Sequence, residues 1–208
     1  MERRNFLKQA AIIVSSVTPV VSSAVSRDEA FLLNYIGEPI PKVKRKKIIT
    51  SSKGHFDTSG TKKLHLVNVH TEEEIHITFR KNGQLVASAT KEFNHFMRDF
   101  RTGEVIKIDP HVLDMLYAVS DRLDTDRAIH VLSGYRSKAT NDKLRRRMHG
   151  VAQNSLHTNG RAIDIAISNR SVKKVAKVGR LLKYGGVGQY NKSHFVHLDT
   201  GRVRHWYG

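Results

Sequence analysis

The sequence predicts an α+β fold in which helices flank a central antiparallel sheet. Three observations carry this expectation. Residues 64–70 (LHLVNVH) and 74–79 (EIHITF) alternate apolar and polar side chains with the period of a strand. Val112, Leu113, Leu116 and Val119 instead recur at the spacing of one helix face. Strands and helices then interleave without the repeating βαβ period of a parallel sheet, and no internal repeat is present.

Taken in order, residues 1–24 read as an export signal. Arg3, Arg4 and Lys8 precede a mostly apolar run from Ala10 to Val21, and Ser22-Ser23-Ala24 supplies a small-x-small ending. The Arg-Arg-x-Phe-Leu-Lys start resembles a twin-arginine signal, although Glu2 stands where that pattern has Ser or Thr. Residues 25–62 contain Pro39 and Pro41 and the basic run Lys42-Val43-Lys44-Arg45-Lys46-Lys47, with no apolar period to bury. They are expected to form a flexible basic segment ahead of a domain spanning residues 63–208. The strands at 64–70 and 74–79 are joined by a turn at Thr71-Glu72-Glu73, and Asn82-Gly83 marks another hairpin-type turn. Helices are expected at 89–96 and 110–123, the latter opened by Asp109-Pro110. A strand at 129–132, a polar helix at 138–148, a strand at 162–167 and a helix at 172–182 follow. Short strands at 185–188 and 195–199 close the chain.

Composition narrows the function. With 39% apolar residues the chain can bury a core. Only the N-terminal run approaches the apolar length of a membrane span, and its Ser15, Ser16, Thr18 and Pro19 argue against a permanent anchor. The absence of cysteine excludes disulfide scaffolds, thiolate metal sites and a cysteine nucleophile. The net charge of +17, which would fall to +15 on loss of residues 1–24, calls for an anionic partner. Twelve histidines make imidazole ligation of a metal worth seeking.

Three clusters offer chemistry: Ser133-Gly134-Tyr135-Arg136-Ser137, the segment from Ser155 to Asp164, and His194-Phe195-Val196-His197-Leu198-Asp199. A catalytic zinc site takes about three protein ligands and keeps one position open. His157 falls in a loop, Asp164 on a strand facing the same side as Ala162, and Gly160 permits the loop to turn back over that strand. Pairing of the 195–199 strand beside it would bring His197 to the same face. Spacing alone leaves an alternative, in which His157 is a surface histidine and Asp164 a structural hydrogen-bond acceptor.

The pattern Ser155-x-His157-x-x-Gly160-x-Ala162-x-Asp164, with His197 downstream, resembles the signature of the D-Ala-D-Ala metallopeptidases, the superfamily of the lysostaphin-type peptidases and the hedgehog fold. The exported, YcbK-like murein endopeptidase branch is the closer likeness. It rests on residues 64–71 and 94–101, Ser133 to Ser137, Gly185-Gly186-Val187-Gly188, and His197 to Gly201 with His205-Trp206, so that it covers residues 63–206.

That resemblance implies a hedgehog-like fold and zinc held by His157, Asp164 and His197. It also implies that Arg136 and Ser155 meet the substrate. Arg136 matches an arginine that grips a substrate carboxylate, for which a guanidinium fork is suited; the structural alternative is that it braces the helix after it. For the general base, relatives carry Glu or Asp three residues before the last ligand, where this chain has His194. His194 is favoured slightly over Asp199, with His205 third. His194 needs a bulge or turn to reach the metal face, whereas Asp199 already lies on it, as base or as the residue that orients His197.

The implied activity is zinc-dependent hydrolysis of peptide cross-links in peptidoglycan, whose carboxylates suit a basic enzyme. No motif encodes whether the bond is D,D or L,D; the resemblance leans toward the latter. The competing reading is a catalytically inactive, zinc-containing module that binds the cell wall. A nucleic-acid partner is not expected, because aromatic stacking positions are sparse around the basic runs.

Overall fold

The computed structural model describes residues 54, 56–147 and 151–208. The signal-like segment 1–24 and most of the basic segment lie outside the described residues. Eight strands form one sheet: β1 (Lys62–Asn68), β2 (Glu74–Lys81), β3 (Gln84–Leu85), β4 (Ile129–Ser133), β5 (Ala162–Ile167), β6 (Gly186–Tyr190), β7 (Phe195–Asp199) and β8 (Arg204–Tyr207). Among the described residues, four helices accompany them: α1 (Ala87–Phe96), α2 (His111–Leu123), α3 (Lys138–Arg147) and α4 (Val172–Leu182). A 3-10 turn spans Leu156–Asn159.

The strand order is β3-β2-β1-β4-β5-β7-β6-β8. Most neighbours are antiparallel, but β1 pairs with β4 and β6 with β8 in parallel. The sheet is therefore mixed, which corrects the antiparallel expectation. Both parallel pairs follow from connectivity. The chain leaves β1 through a hairpin and two helices before β4 returns in the same direction. β8 skips past β7 to the free edge of β6, so a reversal at β7 is undone by a second one. That last strand and the 3-10 turn also escaped the sequence reading.

Alternation on β5 sorts the two faces. Ile163, Ile165 and Ile167 enter the main core with Val112, Leu113 and Leu116 of α2 and Val175 and Ala176 of α4. α4 begins at Ser171, whose side chain accepts from the Lys174 amide, as an N-cap residue should. Phe56 extends the core toward the N-terminus and packs against Tyr184, with ring centroids 3.9 Å apart and planes tilted by 37°. One ion pair is built into this side. Arg80 of β2 donates to both carboxylate oxygens of Asp114 on α2, at 2.7 and 2.8 Å, and both side chains are buried. A fork of this kind satisfies both charges where water cannot.

Ala162, Asp164 and Ala166 point the other way. Ala166 joins only a small apolar cluster with Val69, Leu132 and Phe195.

Candidate active site

Three chain segments converge on the face opposite the helices. Asp164 lies directly across from His197 in the antiparallel β5–β7 register, so both side chains leave the sheet on the same side. His157 arrives from the 3-10 turn above them. That turn is set by Ser155, whose hydroxyl accepts from the His157 amide, and by Gly160, which ends it in the left-handed conformation at φ 64°. A side chain at Gly160 would also press on the Lys107 carbonyl oxygen at 2.9 Å.

The potential ligand atoms form a compact triangle. His157 Nε2 lies 3.2 Å from both Asp164 Oδ1 and His197 Nδ1, and the last two are 2.8 Å apart. Three ligands of a tetrahedral ion at ~2.1 Å sit about 3.4 Å from one another, close to these spacings. Two nitrogens and one carboxylate oxygen suit a borderline divalent ion.

Each imidazole is held from its far side. His157 Nδ1 donates to the Gly134 carbonyl at 2.7 Å, which leaves Nε2 as the free lone pair. His197 Nε2 bonds Asp199 Oδ2 at 3.1 Å, which leaves Nδ1 for the triangle. Asp199 is itself fixed by a fork from Arg204 (2.7 and 3.0 Å) and by the amides of Gly186 and Gly201. Trp206 of β8 lies against the His197 ring at 5.2 Å. It fits only because Gly188 beneath it has no side chain; a Cβ there would meet the indole at 2.7 Å.

The electrostatics match this layout. Burial, seconded by the Arg136 charge, lowers His157 to about 4, so its imidazole is neutral at pH 7 and able to ligate. Burial opposes ionisation of Asp164, but His157 and Arg136 beside it outweigh that and hold the carboxyl well below its usual range. Burial likewise opposes Asp199, and hydrogen bonds from His197 and Arg204 prevail, so it too stays ionised. His197 is raised, because its bonds to Asp164 and Asp199 exceed the effect of burial.

The other residues singled out in the sequence have different stations. Arg136 turns its guanidinium inward, donating to Asp164 Oδ2 at 2.5 Å and to Ser133 Oγ at 2.8 Å. It braces a member of the trio here instead of the following helix. Ser155 is occupied as the cap of the His157 turn. His194 is exposed in the turn before β7 with φ 54°. It lines a cavity with Ile165, Ile167, Val175 and Val196, whose side chains belong to the helix-covered face. His194 thus borders the helix-covered side of the sheet, whereas the trio stands on the other. On β7, Val196 and His197 take opposite faces, and His194 sits in the turn just before the strand. His205 is exposed on the β8 face opposite Trp206.

Sequence reasoning gave no role to Asp99, Gly134 or Arg204. Asp99 is buried and accepts from the amides of Arg101 and Ser137, tying the loop after α1 to the Ser133–Ser137 turn that supplies Arg136 and the Gly134 carbonyl. A cavity of about 520 Å³ opens beside that turn, lined by Glu104, Tyr135, Ser137, Asn141 and Thr158 among others. Most of its lining residues are polar in type, and it adjoins the segments carrying Arg136 and His157.

The chain is similar to known proteins over most of its described length. A family profile described as peptidoglycan L,D-endopeptidase MepK matches residues 56–206. The peptidoglycan L,D-endopeptidase MepK of Escherichia coli K12 is 41% identical over 143 residues, covering 69% of this chain and 79% of the relative. The protein of that name from Shigella flexneri shows the same identity and coverage. The probable peptidoglycan L,D-endopeptidase MepK of Haemophilus influenzae is 39% identical over 142 residues, covering 68% of this chain and 76% of the relative.

Proposed function

The chain belongs to the peptidoglycan L,D-endopeptidase MepK family of metallopeptidases, and from that premise we propose that it hydrolyses peptide cross-links of peptidoglycan at the L,D bond. The observation that carries the reading is the His157–Asp164–His197 triangle, in which every ring is backed by a second partner and the donor set suits zinc.

In this proposal His157 Nε2, Asp164 Oδ1 and His197 Nδ1 hold the ion. When bound, the ion supplies Lewis acidity for the scissile carbonyl and lowers the pKa of water toward neutrality. The protein's own residues do the rest. The Gly134 carbonyl fixes the His157 tautomer, and Asp199, clamped by Arg204, fixes that of His197. Arg136 keeps Asp164 ionised and aimed. The chain's net positive charge draws in the carboxylates of stem peptides. Asp199 is assigned to orienting His197, because its oxygens are taken by four groups and its carboxyl is too acidic to serve as a base near neutral pH. His194 is assigned no role in proton transfer.

We also place the mature protein outside the cytoplasm, in the periplasm, after loss of residues 1–24. No helix among the described residues is long and apolar enough to cross a membrane. Sequencing the mature N-terminus should find Val25, and replacing Arg3 and Arg4 by Lys should block export by the twin-arginine route. Normal export of that variant would leave a general secretory signal instead.

The decisive experiment is digestion of defined cross-linked muropeptides with and without a chelator, followed by identification of the new ends. Cleavage between two diaminopimelate residues that stops on chelation and returns with zinc is expected. Binding to sacculi with no cleavage of any cross-link would replace the hydrolase by a wall-binding module.

A further inference from the structure

A second histidine cluster shares the sheet face with the trio and belongs to no part of the proposed mechanism. His65 on β1 lies directly opposite His76 on β2 in the antiparallel register. Their rings stack with centroids 3.9 Å apart and planes within 19°. Glu74 stands two residues before His76, on the same face of β2. Its Oε1 is 2.5 Å from His65 Nε2 and 3.2 Å from His76 Nε2.

Three different side chains therefore aim one ligand atom each at a common point, all within 4.8 Å of one another. Strand geometry imposes the convergence. A cross-strand pair sets the two rings face to face, and the period of two adds the carboxylate on the same side. Stacking orients both Nε2 atoms toward a single oxygen, an arrangement that hydrogen bonding to one ring would not require. The cluster faces solvent, with the side chain of His76 68% and that of Glu74 54% exposed, so the remaining coordination positions are open to water.

We propose that His65, Glu74 and His76 form a second metal site, specific for borderline divalent cations such as Zn²⁺, Ni²⁺ or Cu²⁺. Two imidazoles and one carboxylate match those ions and not Mg²⁺ or Ca²⁺, which prefer all-oxygen shells. The site is separate from the catalytic one. β4 stands between β1 and β5, so two strand spacings of about 4.8 Å put the sites roughly 10 Å apart at the least. Paired ions that share one reaction sit about 3.5–4 Å apart. The second ion accordingly takes no part in hydrolysis. Glu74 and His76 are exposed and His65 is half-buried, while His157 and Asp164 are buried, so it exchanges faster and yields first to a chelator.

The test is the metal content of the full chain. Metal-stripped protein is titrated with Zn²⁺, alongside His65→Ala/His76→Ala, Glu74→Gln and His157→Ala. The double variant should bind one equivalent fewer than wild type and hydrolyse muropeptides at an unchanged rate. Glu74→Gln should weaken the same equivalent at least tenfold without removing either ring. His157→Ala should lose the catalytic equivalent and retain this one, so the result does not depend on whether the hydrolase reading survives. Equal zinc stoichiometry in wild type and the double variant would overturn the proposal. So would loss of hydrolysis in the double variant with its circular dichroism intact.

Discussion

The two faces of the sheet use the same alternation of side chains to opposite ends. Facing the helices, β5 offers Ile163, Ile165 and Ile167 to a continuous apolar core. Facing away, it offers Ala162, Asp164 and Ala166, and Asp164 alone there meets two histidines and an arginine. On the first face stability grows with area removed from water and tolerates changes of identity that conserve volume. On the second, each polar group is defined by one particular partner. The difference teaches that residues one position apart on a strand can fail in unlike ways, the first by unfolding and the second by losing chemistry.

The largest expected effect breaks the site face alone. His157→Ala, Asp164→Ala or His197→Ala should each abolish the zinc equivalent bound at the trio and cost at least about 10³-fold in turnover, the scale of several kcal/mol of lost Lewis-acid assistance. Circular dichroism should still report the folded sheet. Full zinc occupancy in any of the three would remove that residue from the ligand set. On the helix face the counterpart is Asp114→Ala, which leaves Arg80 charged and buried. It should destabilise by about 3–5 kcal/mol in urea melts while zinc binding by the folded fraction is unchanged. A loss under 1 kcal/mol would show that Arg80 finds water or another partner.

Asp199→Asn should produce a smaller loss, about 10- to 100-fold in zinc affinity measured by competition with a chelator. Turnover at saturating zinc should be much less affected. If the variant instead binds zinc normally and is inactive, Asp199 takes part in the reaction directly. The smallest effect sharpens the contrast between faces. His194 holds a left-handed backbone at a cost that glycine avoids, so His194→Gly should stabilise by about 1 kcal/mol and leave hydrolysis unchanged. A hundredfold fall in turnover would return this residue to the active face.

How much of this was legible in the sequence differs between elements. The helix at 111–123 and the strand at 162–167 announced themselves because their periods are local properties of short windows. The approach of Asp164 and His197 was readable for a related reason: two short strands that pair must face one another on alternate residues. Arg204 as the clamp of Asp199 was not readable, because it depends on β8 passing β7 to reach β6. The parallel pairs are of the same kind, being choices of partner that depend on tertiary packing and leave no mark on the pairing strands. Ser155 and Arg136 were singled out by resemblance as substrate-binding, but their inward hydrogen bonds depend on where the 3-10 turn settles over the sheet and were not readable.

The span between His157 and His197, 40 residues along the chain, governs when the coordination sphere comes into being. No hairpin or isolated helix contains it; the 3-10 turn, β5 and β7 must all be docked, and contacts of that sequence separation form late because loop closure precedes any gain. An incompletely folded chain therefore has scattered histidines and no assembled trio. On the proposed reading, the same dependence makes zinc a ligand of the native state alone. At a thousandfold excess of free zinc over its dissociation constant, the folded protein would then gain about 4 kcal/mol over the unfolded one, and the melting temperature would become a gauge of zinc supply.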